Sequence, residues 1–436
     1  MGVIGGTAQS RLADESSVPK TAVPKSTAHP AWPSRRLVST WFACFAVYAG
    51  LLAAFTGHED CAWGVWGFGS YAIAALLLRF GRQWWPGLVV ALLGALVGPF
   101  LFLSTWEADP AEVTVMSRGA VHLLAHGTPY LPTSQLTEWT SYNPYLPLMD
   151  LFGLPRAAGV HGALGDPRIY TSIITIALLA ASFVIMSPHW AGGCRSCRDR
   201  AARMTAIAAA SPVIGFPLAL GITDPPVIAV TILALAFLSR GWLLRTALAV
   251  AAACALKYTA WPLVPVFAVM AWARYSPRDA IRFTVTTLVS AAALALAAAP
   301  NALSNPGSIL QNTIDYPLGL TKIKTVAASP LPGHLVAGLG PAGKTTAVAL
   351  LLLAGLAFAV WLVRRPPLTY QTVAVRLAVA YVLMFTLAPA TRYGYYIYPL
   401  ALLCWLPLSS ATGTERLRLS LLPQRGRPHD LEPTAQ

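Results

Sequence analysis

Three carboxylates fall within six residues, Glu107, Asp109 and Glu112, just ahead of a stretch that carries Arg118, His122 and His126. Carboxylates accept or donate protons in general acid–base chemistry when a fold holds them beside a reacting group. The plain alternatives are solvated loop acids for Glu107 and Asp109 and, for Glu112, a first-turn charge that complements a helix dipole. Basic side chains able to meet a negative charge stand far off in the chain, at Lys257, His334 and Arg392. Lys257 lies between two apolar runs, where an ionisable group is costly unless it is used; snorkelling to an interface is the ordinary reading. Arg392 heads an aromatic run, Tyr393, Tyr395, Tyr396 and Tyr398, that reads first as an interfacial belt. His334 follows Ser329-Pro330-Leu331-Pro332 and either contacts an anion or caps the next helix, while Lys322 and Lys324 in the same stretch are weaker candidates for fixed ligands.

Other patterns carry less. Residues 338–345 spell Gly-Leu-Gly-Pro-Ala-Gly-Lys-Thr and fit GxxxxGK[ST]. A phosphate-binding loop needs a buried strand before it and a soluble α/β domain around it, and this one precedes an apolar run. Cys194-Arg-Ser-Cys197 has zinc-like spacing without a second pair, and His189 adds at most a third ligand. His122 and His126 are four apart with no glutamate after His122, so they read as interfacial polar residues and not as metalloprotease ligands. With Cys44, Cys61, Cys254 and Cys404 mostly inside apolar runs, neither a disulfide framework nor a metal site is expected.

What must position these groups is a membrane bundle. Of 436 residues, 56% are apolar and 11% charged, with mean hydropathy +0.58, whereas soluble domains carry about 25% charged residues. An ordinary soluble globular protein is excluded. About 20 apolar residues cross the hydrocarbon of a bilayer, and apolar runs occur at 37–56, 62–80, 84–105, 169–187, 204–220, 224–239, 243–257, 258–273, 281–299, 345–363, 372–390 and 395–410. That is an all-α polytopic bundle of about twelve spans. Residues 1–36 are polar and rich in Ser, Thr and Pro and read as a disordered cytoplasmic tail, too long and polar for a signal peptide; residues 411–436 read as a second tail. The transmembrane domain, 37–410, includes two long polar loops, 106–168 and 300–344, and loops of such length usually carry function.

Thirty-one basic against 17 acidic residues give a net charge of +14. The basic residues gather in alternate loops, at Arg79 and Arg82, Arg195 to Arg203, Arg240 and Arg245, Arg274 to Arg282, Arg364 and Arg365, and Arg416 to Arg427. That is the signature of cytoplasmic loops. The acids Glu59, Asp60, Glu107, Asp109, Glu112, Glu138, Asp224 and Asp315 fall in the opposite ones. The charge is therefore topology and not a nucleic-acid footprint, with both termini expected in the cytoplasm. This register requires that 144–160, broken by Pro144, Pro147 and Pro155, dip into or lie along the membrane, and that 243–273 turn near Lys257.

Residues 111–126 place Val113, Met116, Ala120, Leu123 and Leu124 on one helical stripe, with Arg118, His122 and His126 on the polar side; this predicts an amphipathic helix at the membrane surface. The frame runs Glu112-Val-x-Val, Gly119-Ala120, Leu123-Leu124 and Gly127-x-Pro129-Tyr130, followed by Tyr142-Asn143-Pro144-Tyr145. It resembles the first external loop of family 87 of the glycosyltransferases. These are polytopic enzymes of the GT-C superfamily, related to polyprenol-phosphomannose-dependent mannosyltransferases of actinobacterial envelopes. Where that family has Asp-Leu-x-Val-Tyr-x-x-Gly-Ala and Tyr-Pro-Pro, this chain has Glu112, Met116 and Asn143-Pro144, and two extra spans precede the loop. Fainter echoes lie at Ala255-Leu256-Lys257 and Trp261-Pro262, so the resemblance covers about residues 110–360.

The resemblance implies a GT-C-like hexosyltransferase of a bacterial plasma membrane, moving mannose from a polyprenyl-phosphate donor to an envelope glycolipid or glycan acceptor. Such transfer needs a carboxylate to take the acceptor hydroxyl proton as the anomeric centre gains oxocarbenium character. Glu112 is then the candidate base and Asp109 its alternative, with Glu107 completing an acid-x-acid pair. His126, Tyr130, Tyr142, Asn143, Lys257, His334 and Arg392 are the implied substrate-binding residues. No nucleotide cofactor is implied, and the resemblance does not decide between metal-dependent and metal-free transfer. Two other readings stand beside it: a non-catalytic lipid-binding relative, which the Glu-for-Asp exchange allows, and a polytopic transporter, for which Asp224 before Pro225-Pro226 is the best residue.

Overall fold

The apolar runs become helices whose ends are set by proline, glycine and small polar caps. The computed structural model describes residues 33–105, 110–187 and 195–409. Residues 1–32 and 410–436, and with them His189 and Cys194, lie outside the described residues. α1 (Arg35–Phe55), capped by the Ser34 hydroxyl, and α2 (His58–Phe80) form a hairpin, followed by α3 (Trp85–Leu103), which widens into a π-helical stretch at Leu93–Val97. Then come α4 (Ala111–His126), α5 (Pro167–Met186), α6 (Arg195–Ala210) and α7 (Pro212–Leu220). α8 (Asp224–Ser239), α9 (Leu243–Leu256), α10 (Leu263–Arg274) and α11 (Pro277–Ala298) precede the second long polar loop. α12 (Pro341–Arg364), α13 (Tyr370–Leu387) and α14 (Ile397–Ser409) complete the series. The extended pairing among the described residues is one isolated bridge, Ala328 to Thr391.

Seven of these helices, α1, α2, α3, α5, α11, α12 and α13, are long and apolar enough to cross a membrane, and α6 with α7 makes an eighth if the pair, bent by 61° at Ser211-Pro212, counts as one. The protein is therefore a helical membrane protein. The remaining apolar runs form shorter helices: α8, α9, α10 and α14 have 16, 14, 12 and 13 residues. At about 1.5 Å per residue each reaches only part of the way through roughly 30 Å of hydrocarbon. The two kinds are solvated differently. α8 is buried on all sides, from Asp224 to Leu238, while only 11% of the most apolar stretch of α12 is buried. A helix that shows Leu352, Leu353 and Leu356 to its surroundings is at home in lipid.

α4 forms over the predicted range and buries Val113, Met116, Ala120 and Leu123; Leu124, expected on the same stripe, is 58% exposed. Residue 124 is one position round the helix from 123 and falls on the stripe's edge, where the packing partner ends. Residues 144–160 make short helical turns, Pro147–Asp150, Leu151–Gly153 and Leu154–Ala157, that pack against α4. The run 243–273 breaks at Lys257, which is extended, as the charge pattern requires. The two long polar loops dock on each other: Asn301 donates from its backbone to Gly127 O at 2.9 Å and from its side chain to His126 O at 2.9 Å, and Ser308 Oγ donates to Leu131 O. The segment Gly338–Lys344 follows a helix, Pro332–Ala337, and not a strand, and Lys344 Nζ donates to Gly319 O at 2.9 Å. Its resemblance to a phosphate loop is textual only.

Candidate functional site

Glu112 sits in the first turn of α4, which begins after Pro110. Its place depends on a glycine elsewhere. Gly221 ends α7 with φ +80°, and a Cβ there would lie 2.3 Å from Val113 Cγ2. Only glycine lets the chain turn and lets α4 come this close. The next turn then brings Thr223, at the N-terminus of α8, against the carboxylate: Glu112 Oε2 accepts from Thr223 N at 2.8 Å and from Thr223 Oγ1 at 2.7 Å. A helix N-terminus offers free backbone N–H groups and a positive dipole end to an anion.

Behind Thr223 lies a buried charge pair. Lys257 Nζ donates to Thr223 Oγ1 at 3.1 Å and to Asp224 Oδ1 at 2.5 Å, with both side chains under 5% exposed. Tyr398 Oη donates to the same Asp224 oxygen at 2.7 Å and is itself 2.8 Å from Thr259 Oγ1. The rings of Tyr145 and Tyr395 lie 5.4 and 5.6 Å from the ammonium, within cation–π range. Lys257 comes into reach because α9 stops one residue earlier; the free Leu256 carbonyl accepts from Leu146 N at 3.1 Å, which also anchors the 142–148 segment. On the open side, Arg392 Nη1 is 3.7 Å from Glu112 Oε1. Burial alone would raise the Glu112 carboxyl, but Lys257, the two Thr223 hydrogen bonds and Arg392 outweigh it and hold the group below the usual carboxylate range. Glu112 is therefore ionised.

Glu112, Lys257 and Arg392 line a cleft of about 640 Å³, counting its open mouth. Its walls are aromatic: Trp139, Tyr142, Tyr145, Tyr258, Tyr316 and Tyr395. The Tyr142 and Tyr316 rings, one from each polar loop, stack at 4.1 Å and 9°. Arg118 pins the loop that carries Trp139 and Tyr142 by donating to the carbonyls of Thr140 and, at 2.9 Å, Tyr142. Arg392 is 37% exposed and is the cation with room to take a further anion, whereas Lys257 is enclosed.

Of the residues singled out by type and spacing, the structure brings Glu112, Tyr142, Lys257 and Arg392 to this one cleft. Glu107 and Asp109 lie outside the described residues. Asn143 is 2% exposed and serves the backbone: its amide N donates to Asn312 Oδ1 at 2.8 Å, its side chain donates to Asp150 Oδ1 at 2.9 Å, and its Oδ1 accepts from Tyr145 N at 3.2 Å. His126 and Tyr130 line a different cavity, and Tyr130 Oη donates to Tyr145 O at 2.9 Å. His334 neither faces the cleft nor caps its helix; its Nδ1 is 2.9 Å from Pro389 O and ties down the turn before Arg392. The aromatic run after Arg392 is not a uniform interfacial belt. Tyr393 is 58% exposed, but Tyr395 lines the cleft and Tyr398 is buried on Asp224.

Spacing did not reveal Thr223, Asp150 or the pairing of Asp224 with Lys257. Asp150 is wholly buried, with Oδ2 unpartnered. Burial pushes its carboxyl well above the usual range, against the pull of the Asn143 amide and Arg118. Gly119 makes room for it, since a Cβ there would lie 2.1 Å from Asp150 Oδ1. Among the described residues no group of three or more His, Cys, Asp or Glu is placed to hold a metal ion. The chain matches no protein-family profile, no curated protein and no solved structure.

Proposed function

We propose that this chain is a membrane glycosyltransferase that moves a hexose, mannose in the first instance, from a polyprenyl-phosphate donor to a hydroxyl of an envelope glycolipid or glycan. The observation that carries the reading is the Glu112 carboxylate, held by Thr223 through Oε2 and presenting Oε1 beside Arg392 in an aromatic-walled cleft. In the reaction the acceptor oxygen bonds to the anomeric carbon while the bond from that carbon to the phosphate oxygen breaks. The electron pair leaves with the phosphate, and the hydroxyl proton passes to Glu112 Oε1. Arg392 meets the charge that grows on the phosphate. As it does so, Glu112 loses part of one cation's field and becomes a stronger base at the moment a base is needed. Configuration inverts, because attack and departure are on opposite faces.

The same reading takes α8, α9, α10 and α14 as partial spans of a GT-C-like bundle of about twelve apolar runs in a bacterial plasma membrane. The termini are then cytoplasmic and the cleft opens at the outer leaflet, where an isoprenoid chain stays in lipid while its phosphate reaches Arg392. The test is transfer of radiolabelled mannose from polyprenyl-phosphate mannose into lipid extracts by membranes expressing the wild-type chain or Glu112→Gln at equal protein level. Label transferred by wild type and lost in the variant supports both class and base; transfer that survives moves the base elsewhere. Absence of transfer with mannosyl, glucosyl and arabinosyl carriers alike overturns the enzyme reading.

A polytopic transporter is the second reading, favoured by the buried Asp224–Lys257 pair. It requires solute flux in proteoliposomes that Asp224→Asn abolishes, whereas the enzyme reading requires sugar transfer without flux.

A further inference from the structure

The second cavity is lined by polar groups of a different kind. His122, His126, Gln135, Asn301, Asn305 and Ser304 surround about 1010 Å³ of space, open mouth included, and no carboxylate, ammonium or guanidinium is among its lining residues. Some of this hydrogen-bonding capacity is used internally. His122 Nδ1 is 2.7 Å from Thr128 O, Asn305 Oδ1 accepts from Ser308 N at 3.1 Å, and Ser304 Oγ donates to Asn301 O at 2.7 Å. Three further polar groups line the cavity: the His126 ring, which lies 4.4 Å from the His122 ring, the Gln135 amide and the Asn305 amide nitrogen. A ligand matched to such a lining is rich in hydroxyls, since each hydroxyl both donates and accepts.

The cavity is tied to the Glu112 cleft by three stretches of chain that serve both. α4 runs from Glu112 in the cleft to His122 and His126 in the cavity. At 100° per residue Glu112, Val115, His122 and His126 fall within an arc of about 80° on one face, and the fourteen positions from Glu112 to His126 span about 21 Å. The loop from Tyr130 to Tyr145 lines the cavity with Tyr130, Pro132 and Gln135, then the cleft with Trp139, Tyr142 and Tyr145. The second polar loop does the same, with Asn301 to Ser308 in the cavity and Tyr316 and Pro317 in the cleft. Between the two openings the loops are stitched together by the Asn143–Asn312 hydrogen bond and the Tyr142–Tyr316 stack. The spacing of cavity and cleft is therefore fixed.

Resting on the glycosyltransferase reading, we infer that the second cavity is an acceptor-anchoring subsite for a glycan: it holds a stretch of acceptor remote from the hydroxyl that reacts at Glu112. The acceptor is then an extended hydroxyl-rich chain, and a single sugar or a small headgroup fills only one end.

The test uses the purified full-length protein in lipid nanodiscs, titrated with a linear mannohexaose and with mannose by calorimetry. Gln135→Ala and His126→Ala are surface truncations, and Gln135→Trp fills the cavity as an independent block. Wild type is expected to bind the hexaose, and each cavity variant to weaken that binding about tenfold, the equivalent of one hydrogen bond of about 1.4 kcal/mol. Hexaose binding that is absent, or equal in wild type and all three cavity variants, overturns the subsite. In the transfer assay, wild-type KM falls as the acceptor lengthens, and the cavity variants lose that dependence. Glycan binding at the cavity without transfer by wild type removes the enzyme reading and leaves a glycan-binding site; transfer with no dependence on acceptor length removes the subsite and leaves the enzyme.

Discussion

Two buried ion pairs stand at opposite extremes of how a chain builds a charge pair. Asp166 and Arg168 are two residues apart. Asp166 caps α5 by accepting from Arg168 N at 2.8 Å and also holds the Arg168 guanidinium at 2.7 to 3.1 Å, while Phe100 lies under that guanidinium at 4.9 Å. The pair closes within one turn and starts a helix, with Arg168 Nη1 left buried and unpartnered. Asp224 and Lys257 are 33 residues apart, and Lys257 is bound through Thr223 to Glu112, another 111 residues from Thr223, while Tyr398 closes the far side. That network joins α4, α8, the α9–α10 break and the start of α14, and it ends at a cleft. Burial of charge is costly in both. The difference lies in what each network touches, and it is the long-range one that sets the protonation and position of a group open to a ligand.

Breaking the two networks separates them, and the largest effect is expected at the open end. Glu112→Gln keeps the shape but removes the base, so label transfer drops about 10²- to 10⁴-fold, while thermal unfolding shifts less than in the two variants that follow. Next comes Lys257→Met, which leaves Asp224 buried without its cation and is expected to cost about 3–5 kcal/mol, measured by thermal unfolding in detergent; Arg168→Met carries a cost of the same order. The contrast is in activity per folded molecule, which Lys257→Met lowers and Arg168→Met leaves alone. Equal losses of specific activity would erase the distinction drawn here.

The same contrast has a pH signature. The folded Glu112 group is depressed, so its contribution to stability is present above the unfolded carboxylate pKa and is lost as pH falls through the folded value. Transfer should likewise hold up below the ordinary carboxylate range, and removing the Lys257 charge should move that acid limb to higher pH. A smaller effect is expected from Gly119→Ala, where the new Cβ meets Asp150 and Asn143, at 2.1 and 2.8 Å; overpacking of this kind costs about 1–3 kcal/mol, read in the same melts. Smallest is Asp150→Asn, within about 1 kcal/mol at low pH because the amide replaces a neutral acid. The sign for Asp150 is opposite to Glu112. Its folded pKa is raised, so its contribution is present below the unfolded value and fades as pH rises toward the folded one. Wild type should therefore lose stability relative to Asp150→Asn as pH rises above the ordinary carboxylate range, and parallel curves would mean that the Asp150 carboxyl is not raised.

Much of the framework was legible because it is local. Periodicity located α4, and the arginine-rich loops required the break at Lys257, which the structure places one residue past Leu256. Glu112 and Arg392 stood out by type and position. What was hidden is pairwise. Thr223 is an ordinary threonine until Gly221 turns the chain, and nothing in the neighbourhood of Asp224 names Lys257, 33 residues away, as its partner. Tyr395 and Tyr398 read as a belt because aromatic residues near a membrane surface have one compositional signature, whether they face lipid, a cleft or a buried aspartate. His334 reads in the chain as an anion contact or a helix cap, and its partner is instead Pro389 O, a carbonyl 55 residues away.

By itself the amino-acid order determined that this is a helical membrane protein, where most of its helices run, and that an acidic residue heads an amphipathic helix, because each depends on composition and on neighbours a few positions apart. The tertiary structure decided which of the polar residues meet. Bringing residues 112, 223, 257 and 392 within hydrogen-bonding or ionic reach requires two polar loops to dock and one glycine to admit a close approach, and contacts at such separations leave no periodic trace in the chain.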